Sequence, residues 1–341
     1  MIEVLLREWD GETAVIRYDR PTEAWIIIAI HSTRLGPAAG GTRMRHYPEA
    51  ESALQDALRL AAGMTLKFAT SGMPFGGGKA VIAVPPGITQ KSRLALLRRY
   101  GALIHQLGGL YYTGPDLGTS SADMDIIAET GAPYVFSRTP ATGGAGSSGP
   151  YTALGVFTGI QIACEHLWQD RALDGRRVLV QGTGSVGAAL IDHLRLAGAE
   201  VLFSEVEDSA IRHFRDELGF EFVASEAVYT TECDVFAPCA LGGVLNASTI
   251  PHLKCQAVVG GANNLLAAQG DAERLYANGI LYTPDYVVNV GGALAVTGLE
   301  TQDWTQERAA AEVVQTVQRS LSQVFDLAEK ESITTAAAAY H

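Results

Sequence analysis

The stretch RRVLVQGTGSVGAALIDHLRLAGAEVLFSE, residues 176–205, decides one half of the fold. VLVQ (178–181) is a short apolar strand. Gly182, Gly184 and Gly187 follow, and Val186, Leu190, Ile191 and Leu194 then recur at helical spacing before VLFS (201–204) forms a second strand. The segment Gly182-Thr183-Gly184-Ser185-Val186-Gly187 is therefore a GxGxxG sequence between a strand and a helix. The first glycine permits the tight turn, the second leaves the backbone bare for a pyrophosphate, and the third lets the helix pack on the strand. Amides at the helix N-terminus would face the phosphates. Glu205 ends the second strand, where its carboxylate can accept hydrogen bonds from ribose hydroxyls. That carboxylate repels a 2′-phosphate, and Val206, Glu207 and Asp208 offer no arginine, so NAD is expected rather than NADP. The bland alternative is a turn that binds nothing; the strand, the helix and Glu205 together weigh against it.

Further along the chain, VFAPCA (235–240) and AVVGGANN (257–264) supply more short strands with helices between them, as an open parallel sheet requires. The tail 305–339 is helical in pattern and rich in alanine and glutamate. Before the glycine turn, YTALGVFTGIQIACEHLW (151–168) is a long helix. The preceding 137–150, SRTPATGGAGSSGP, holds almost no large apolar group and reads as a flexible linker or hinge. The N-terminal part alternates strands and helices. TAVIRYD (13–19), AWIIIAIHS (24–32), KAVIAV (79–84) and GGLYYTGPD (108–116) are strands. Leu54, Leu58 and Ala61 mark a helix over 49–69, another runs from about Arg93 to Leu107, and SADMDIIAET begins a third at Ser120 or Ser121, where Asp123 and Asp125 serve the first turn.

At 341 residues the chain exceeds one ordinary core and predicts two domains. Hydrophobic residues at 47% against 18% charged exclude extended disorder. A formal charge of -12, with no basic cluster, argues against nucleic acid as a partner. No uncharged stretch reaches membrane-span length, and the acidic start MIEVLLREWDGE is unlike a signal peptide, so a cytoplasmic protein is expected. Cys164, Cys233, Cys239 and Cys255 form no CxxC pair, the eight histidines show no metal spacing, and no metal is expected.

Several side chains could carry chemistry. Lys79 follows Gly76-Gly77-Gly78, a run that is costly unless the chain needs unusual dihedrals or a bare surface beside a ligand. A lysine desolvated there could act as a base, although a tight turn with a solvated lysine reads equally well. Lys67 ends an apolar-striped helix, where a cation suits the dipole whether or not it clamps a carboxylate. Asp116, after Gly114 and Pro115, sits where a strand ends, a ligand-binding position in open α/β sheets as well as an ordinary turn. Asn263 and Asn264 could donate to a cofactor or a substrate, or simply make a turn.

Taken together, LGPAAGGTRM (35–44), DALRLAAGMTLK (56–67), PFGGGKAVI (74–82), YYTGPDLGTSSADMD (111–125), GGAGSSG (143–149), FAPCALGG (236–243), GGANN (260–264) and ILYTPDYVVNVGG (280–292) resemble the Glu/Leu/Phe/Val family of amino acid dehydrogenases over nearly the whole chain. The resemblance implies an α/β protein of two domains separated by a cleft. Residues 1–135 are a mixed-sheet substrate and oligomerisation domain, 145–325 a Rossmann-type NAD domain, and 326–341 a helical tail packing on the first. It implies that Lys67 binds the substrate α-carboxylate, that Lys79 is the catalytic base activating water, and that Asp116 handles protons at the amino group. Gly40 and Gly41 line the substrate cleft, and Asn264 or Asn263 lies near nicotinamide and substrate. Thr152, Cys239 and Ala240 join the glycine turn around NAD. The departures are Glu205 where aspartate is usual, NVGG (289–292) for the common NAGG, and GTGSVG at the glycine turn.

The implied reaction is reversible NAD-dependent oxidative deamination of an L-amino acid to a 2-oxo acid and ammonia, by a homo-oligomer. The positions matching the side-chain subsite are Ala39, Gly114, Ala293 and Val296. Their small size favours an aromatic substrate, and among the family's members the phenylalanine enzymes look most similar; tryptophan, leucine and valine are the alternatives. A silent paralogue that binds amino acid or NAD without turnover is a third reading, against which Lys67, Lys79 and Asp116 stand together. A hydroxy-acid dehydrogenase would need a base histidine, and none is marked.

Overall fold

A computed structural model describes residues 2–268 and 270–341. The chain divides into two compact units, 1–148 with 296–305, and 149–295 with 306–341. Among the described residues no helix is long and apolar enough to cross a membrane, and all four cysteines are free thiols.

The first unit comprises α1 (Ile2–Glu8), β1 (Thr13–Asp19), β2 (Ala24–Ser32), β3 (Ala38–Arg45), α2 (Ala50–Ser71), β4 (Gly76–Ala83), α3 (Gln90–Gln106), β5 (Tyr111–Pro115) and α4 (Ser121–Gly131). Its sheet runs β1-β2-β4-β3-β5 and is mixed: β1/β2 and β2/β4 pair antiparallel, β3/β4 and β3/β5 parallel. Strands β2 and β4 are apolar on both sides because helices cover both. Ile27, Ala29 and Val81 pack with Ala53, Leu54, Ala57 and Leu58 of α2. Ile26, Ile28, Ala80 and Ile82 pack with Leu96, Leu97 and Tyr100 of α3 and Met124 and Ile127 of α4. Thr89 caps α3, so that helix begins three residues before Arg93; Ser120 caps α4 in a reciprocal box with Asp123.

The three consecutive glycines are strand, with no positive φ among them. Their need is proximity. A Cβ on Gly76 would stand 1.9 Å from the Ser32 carbonyl oxygen, one on Gly77 2.2 Å from the Thr65 amide nitrogen of α2, and one on Gly78 2.9 Å from the Tyr111 ring. The segment 137–145, expected to be flexible, is tied down. Asp125 accepts from the Thr139 amide (3.0 Å) and hydroxyl (2.7 Å) and from the Thr142 hydroxyl (2.6 Å), rather than serving only its own helix. Glu300 Oε1 accepts from the amides of Ser137 (2.8 Å) and Ala145 (2.7 Å).

The second unit contains α5 (Gly149–Trp168), β6 (Arg177–Gln181), α6 (Ser185–Leu196), β7 (Glu200–Ser204), α7 (Asp208–Arg212), β8 (Glu221–Phe222), β9 (Val235–Pro238), β10 (Ala257–Val258), α8 (Asp271–Ala277), β11 (Leu281–Tyr282), α9 (Asp285–Val288), α10 (Gly291–Thr301), α11 (Gln306–Glu331) and α12 (Thr335–Tyr340); the last six residues of α10 group with the first unit. All six strands are parallel, in the order β11-β10-β9-β6-β7-β8. The order reverses between β6 and β9, the switch point at which doubly wound sheets bind ligands. The C-terminal tail was expected on the first domain. It packs instead within the second unit: Val317, Leu321, Val324 and Phe325 of α11 join the core formed by α5, and the Thr335 hydroxyl of α12 donates to the Tyr282 carbonyl at 2.5 Å. The apolar stripe of α11 matches the apolar side of α5, which the parallel sheet leaves only half covered.

Gly77→Ala should lower the unfolding free energy by about 1–3 kcal/mol, since its methyl meets the α2 backbone at Thr65 as well as the Thr65 hydroxyl, and the backbone cannot turn aside. Gly184→Ala, at φ -66 with no atom within 4 Å of the added carbon, should unfold at the wild-type denaturant concentration. Urea titrations of the two variants make the comparison.

Candidate functional site

In the first unit β3, β4 and β5 each turn alternate residues toward the α2 side, and the predicted site residues fall on that alternation: Ala39 and Gly41 on β3, Lys79 on β4, Gly114 on β5 and Asp116 just beyond it. At Gly41 the end of β5 comes close to β3, since an added Cβ would lie 2.5 Å from the Pro115 carbonyl oxygen and 2.9 Å from the Asp116 Cβ. Gly40 has a packing role, since its Cβ would meet the Gly78 carbonyl oxygen at 1.8 Å. Around Gly114 there is room: an added Cβ would touch only the Phe136 Cβ, at 3.9 Å. Phe136 in turn stacks on Tyr112 and meets Phe75 edge-on. Lys67 is buried near the end of α2.

Lys79 is 3% exposed and its Nζ stands 3.2 Å from Asp116 Oδ2. The same oxygen accepts from Arg43 Nε at 2.9 Å, while Arg43 Nη1 donates to Asp56 Oδ2 at 3.0 Å. Asp56 also accepts from the Tyr47 hydroxyl (2.6 Å) and from Arg59 (3.1 Å). Two carboxylates and two cations, Lys79 buried and Arg43 partly so, thus alternate in a chain, Lys79–Asp116–Arg43–Asp56. Burial disfavours the Asp116 charge, yet Lys79 and Arg43 outweigh it and bring its pKa down to about 2. Lys79 is pushed the other way: burial lowers its pKa, Asp116 raises it, and Arg43 lowers it further. The result is a carboxylate held ionised beside an amine that gives up its proton more readily than a free lysine. Sequence reading missed Arg43, Asp56 and Tyr47. Arg43 lies within LGPAAGGTRM and Asp56 opens DALRLAAGMTLK, but nothing in linear spacing pairs β3 with α2.

In the second unit the predicted residues gather at the carboxyl ends of the strands. Gly182 takes φ +92 and packs against Ala240, whose Cβ would be 2.7 Å from an added one, so the loops after β6 and β9 touch at the switch point. Gly184 is the N-cap residue of α6 and faces open space, and a Cβ on Gly187 would meet the Gly182 carbonyl oxygen at 1.9 Å. The bare helix N-terminus therefore fits a pyrophosphate. Thr183 and Glu205 are joined: Glu205 Oε2 accepts from the Thr183 amide (2.8 Å) and hydroxyl (2.9 Å), and Oε1 from the Val206 amide (2.7 Å). Burial would raise the Glu205 pKa, but these donors bring it below the ordinary value, which keeps a negative charge where a ribose would lie. Gly149 abuts Ser185, so the turn of α5 that carries Thr152 starts beside the start of α6. The Cys239 thiol is half-buried and pushed up to about 12 by burial, which disfavours the thiolate a nucleophile would need.

Asn263 and Asn264 follow β10. Asn264 adopts φ +53 with its amide bonded to Asp285 at 2.7 Å. Asn289 Nδ2 donates to Asn263 Oδ1 at 3.1 Å and to the Gly261 carbonyl at 3.2 Å, while Asn289 Oδ1 is buried with no hydrogen-bond partner. Asn289 belongs to NVGG and was not singled out as a site residue. Ala293 and Val296 lie three residues apart on α10, half-buried and buried respectively. Among the described residues no group of three His, Cys, Asp or Glu side chains could hold a metal ion.

Residues 18–132 match the model of the Glu/Leu/Phe/Val dehydrogenase dimerisation domain, and 200–341 that of glutamate/leucine/phenylalanine/valine dehydrogenase. The leucine dehydrogenase of Geobacillus stearothermophilus is 39% identical over 98% of this chain and 90% of its own length. The valine dehydrogenase of Streptomyces virginiae is 42% identical over 96% and 91%. The crystal structure of L-tryptophan dehydrogenase from Nostoc punctiforme superposes with a TM-score of 0.78 at 38% identity, covering 100% of this chain and 96% of that one. These relatives carry leucine, valine and tryptophan in their names, so they lend no support to phenylalanine as the first substrate. With both domain models matched in order and its length shared almost throughout, the chain belongs to the Glu/Leu/Phe/Val family of amino acid dehydrogenases.

Proposed function

We propose that the protein catalyses reversible oxidative deamination of an L-amino acid with NAD⁺. The observation that carries this reading is the amine of Lys79, 3% exposed and 3.2 Å from a carboxylate that a second cation already serves. NAD, when bound, accepts the hydride from the substrate Cα. Thr183, Gly184 and Ser185 present the open end of α6 to its phosphates, and Glu205 accepts from its ribose. The buried cation Lys67 binds the substrate α-carboxylate.

Asp116 takes a proton from the substrate ammonium before hydride departs. Neutral Lys79 then takes a proton from water; the water oxygen bonds to the iminium carbon, and the C=N electron pair moves onto nitrogen. Asp116 returns its proton to that nitrogen, the C–N bond breaks with its electrons on ammonia, and the hydroxyl proton passes to the Asp116 carboxylate, ionised again, as the carbonyl forms. Buried charge around the reacting atoms strengthens each of these electrostatic effects.

For the side chain, an aromatic substrate fits the open space at Gly114 beside Phe136, Tyr112 and Phe75, and the tryptophan dehydrogenase relative is in keeping with it. Phenylalanine and tryptophan are the substrates proposed. The second reading is a branched-chain enzyme, favoured by the identity to leucine and valine dehydrogenases. Assembly of identical chains through the first unit and a cytoplasmic location complete the proposal.

Lys79→Ala should lose about 10²–10⁴-fold in kcat with substrate binding largely kept, whereas Lys67→Ala should raise KM by about 10 to 100-fold, in each case measured by steady-state kinetics. A wild-type kcat in Lys79→Ala would remove the base. The reaction itself is tested by initial rates with L-phenylalanine, L-tryptophan, L-leucine and L-valine, each with NAD⁺ and NADP⁺. The expected result is a higher kcat/KM for the aromatic pair, and NAD⁺ ahead of NADP⁺ by roughly tenfold or more because Glu205 opposes the added phosphate. Faster turnover of leucine or valine would transfer the assignment to the branched-chain reading; equal rates with both cofactors would mean that Glu205 does not face the ribose.

A further inference from the structure

Arg43 has a geometry that simple packing does not require. Its guanidinium lies between two carboxylates on different elements, Nε on Asp116 beyond β5 and Nη1 on Asp56 of α2. Asp56 is itself fixed from the far side by Tyr47 and Arg59. Arg43 is therefore clamped, and it clamps Asp116 in turn. Both Arg43 and Lys79 address the same oxygen, Oδ2, and none of these contacts uses Oδ1.

We propose that Arg43 is a positioning residue of the reaction: by serving Asp116 Oδ2 permanently it lets Lys79 stay beside the carboxylate as a neutral amine and turns Oδ1 toward the substrate nitrogen. The inference rests on the reading of Lys79 as the base. The physical reason is charge balance in a place that is largely shielded from water. A lysine alone with an aspartate is held protonated by it, as half of a neutral ion pair. Here the always-charged guanidinium already balances Asp116, so a proton on Lys79 adds an excess positive charge beside another cation. The groups facing Lys79 from the packed elements are Asp116 after β5, Arg43 on β3 and Asp56 on α2. On β2 its register partner is Ala29, and His31, two places along, is engaged by Thr65 and Asp10. Lys67 is the other buried cation of α2. Of these groups Arg43 is the one that opposes the Lys79 proton through a carboxylate they share.

The test is the pH profile of kcat/KM for Arg43→Gln, Arg43→Lys and Lys79→Ala in the full-length enzyme. Removing the guanidinium strengthens the hold of Lys79 on its proton, so the acid limb of Arg43→Gln should move about 1 pH unit to the alkaline side. The variant should run about tenfold slower than wild type on that limb while approaching it on the alkaline plateau. Arg43→Lys keeps the charge and should restore the position of the limb. If Arg43→Gln fails to fold, Arg43→Gln with Asp56→Asn removes both charges together, and its limb should move in the same direction by less. A profile that keeps its shape and drops uniformly, or a change in KM alone, would overturn the role of Arg43. Loss of kcat in Lys79→Ala with an unmoved limb in the arginine variants overturns this inference only, whereas wild-type kcat in Lys79→Ala overturns the base and the inference together.

Discussion

Close approach of backbones, rather than any single hydrogen bond, is the constraint on which the first unit depends. At Gly77 the amide of Thr65 occupies the place of a side chain, so α2 rests directly on β4. At Gly41 the missing Cβ leaves room for that of Asp116, so the end of β5 can draw in beside β3. Helix α2 carries Lys67 and Asp56, β4 carries Lys79, and β3 carries Arg43. A wider separation at either glycine would leave those charges buried without the partners that make burial tolerable.

Once the backbones are that close, electrostatics divides the labour between two groups of opposite sign. Asp116 and Lys79 share one environment, yet one is stabilised in its charged form and the other is not: burial, with Arg43 adding to it, outweighs the pull of Asp116 on the lysine proton, whereas at Asp116 the two cations together outweigh burial. Arg43 suits that place through its planar fork, which reaches two carboxylates at once and does not titrate. Asp56, Tyr47 and Arg59 supply its rear support.

The second unit solves a different problem with the same economy of side chains. Parallel strands put their carboxyl ends on one edge, and the strand order reverses there between β6 and β9, whose following loops meet through Gly182 and Ala240. Each glycine of the turn then has its own reason: Gly182 a left-handed φ against Ala240, Gly184 open space, and Gly187 contact with the strand end. Thr183 and Glu205 link the first two strands of the unit across that edge.

The sequence by itself determined most of the elements, though not β3, and the family. Periodicity marked β1, β2 and α4 nearly to the residue, and Gly182–Gly187 marked the turn from β6 into α6, because these signals are local: a repeat of two or 3.6, a cap, a glycine that must turn. Lys67, Lys79 and Asp116 stood out only because each sits in a segment that resembles the family's; locally each is also an ordinary turn, strand-start or helix-end residue. The tertiary structure decided the rest. It put the Gly76–Gly78 run inside a strand, where sequence suggested unusual dihedrals, because proximity to α2 and Tyr111 cannot be read from the run itself. It tied the glycine-rich segment 137–145 to Asp125 and Glu300, the latter more than 150 residues away, and placed the C-terminal helices on α5 and β11. It also joined Arg43 to Asp56 and Asp116, on three separate elements. Contacts of that kind depend on the three-dimensional path of the backbone, and a linear pattern carries no record of which charges that path will bring within 3 Å of one another.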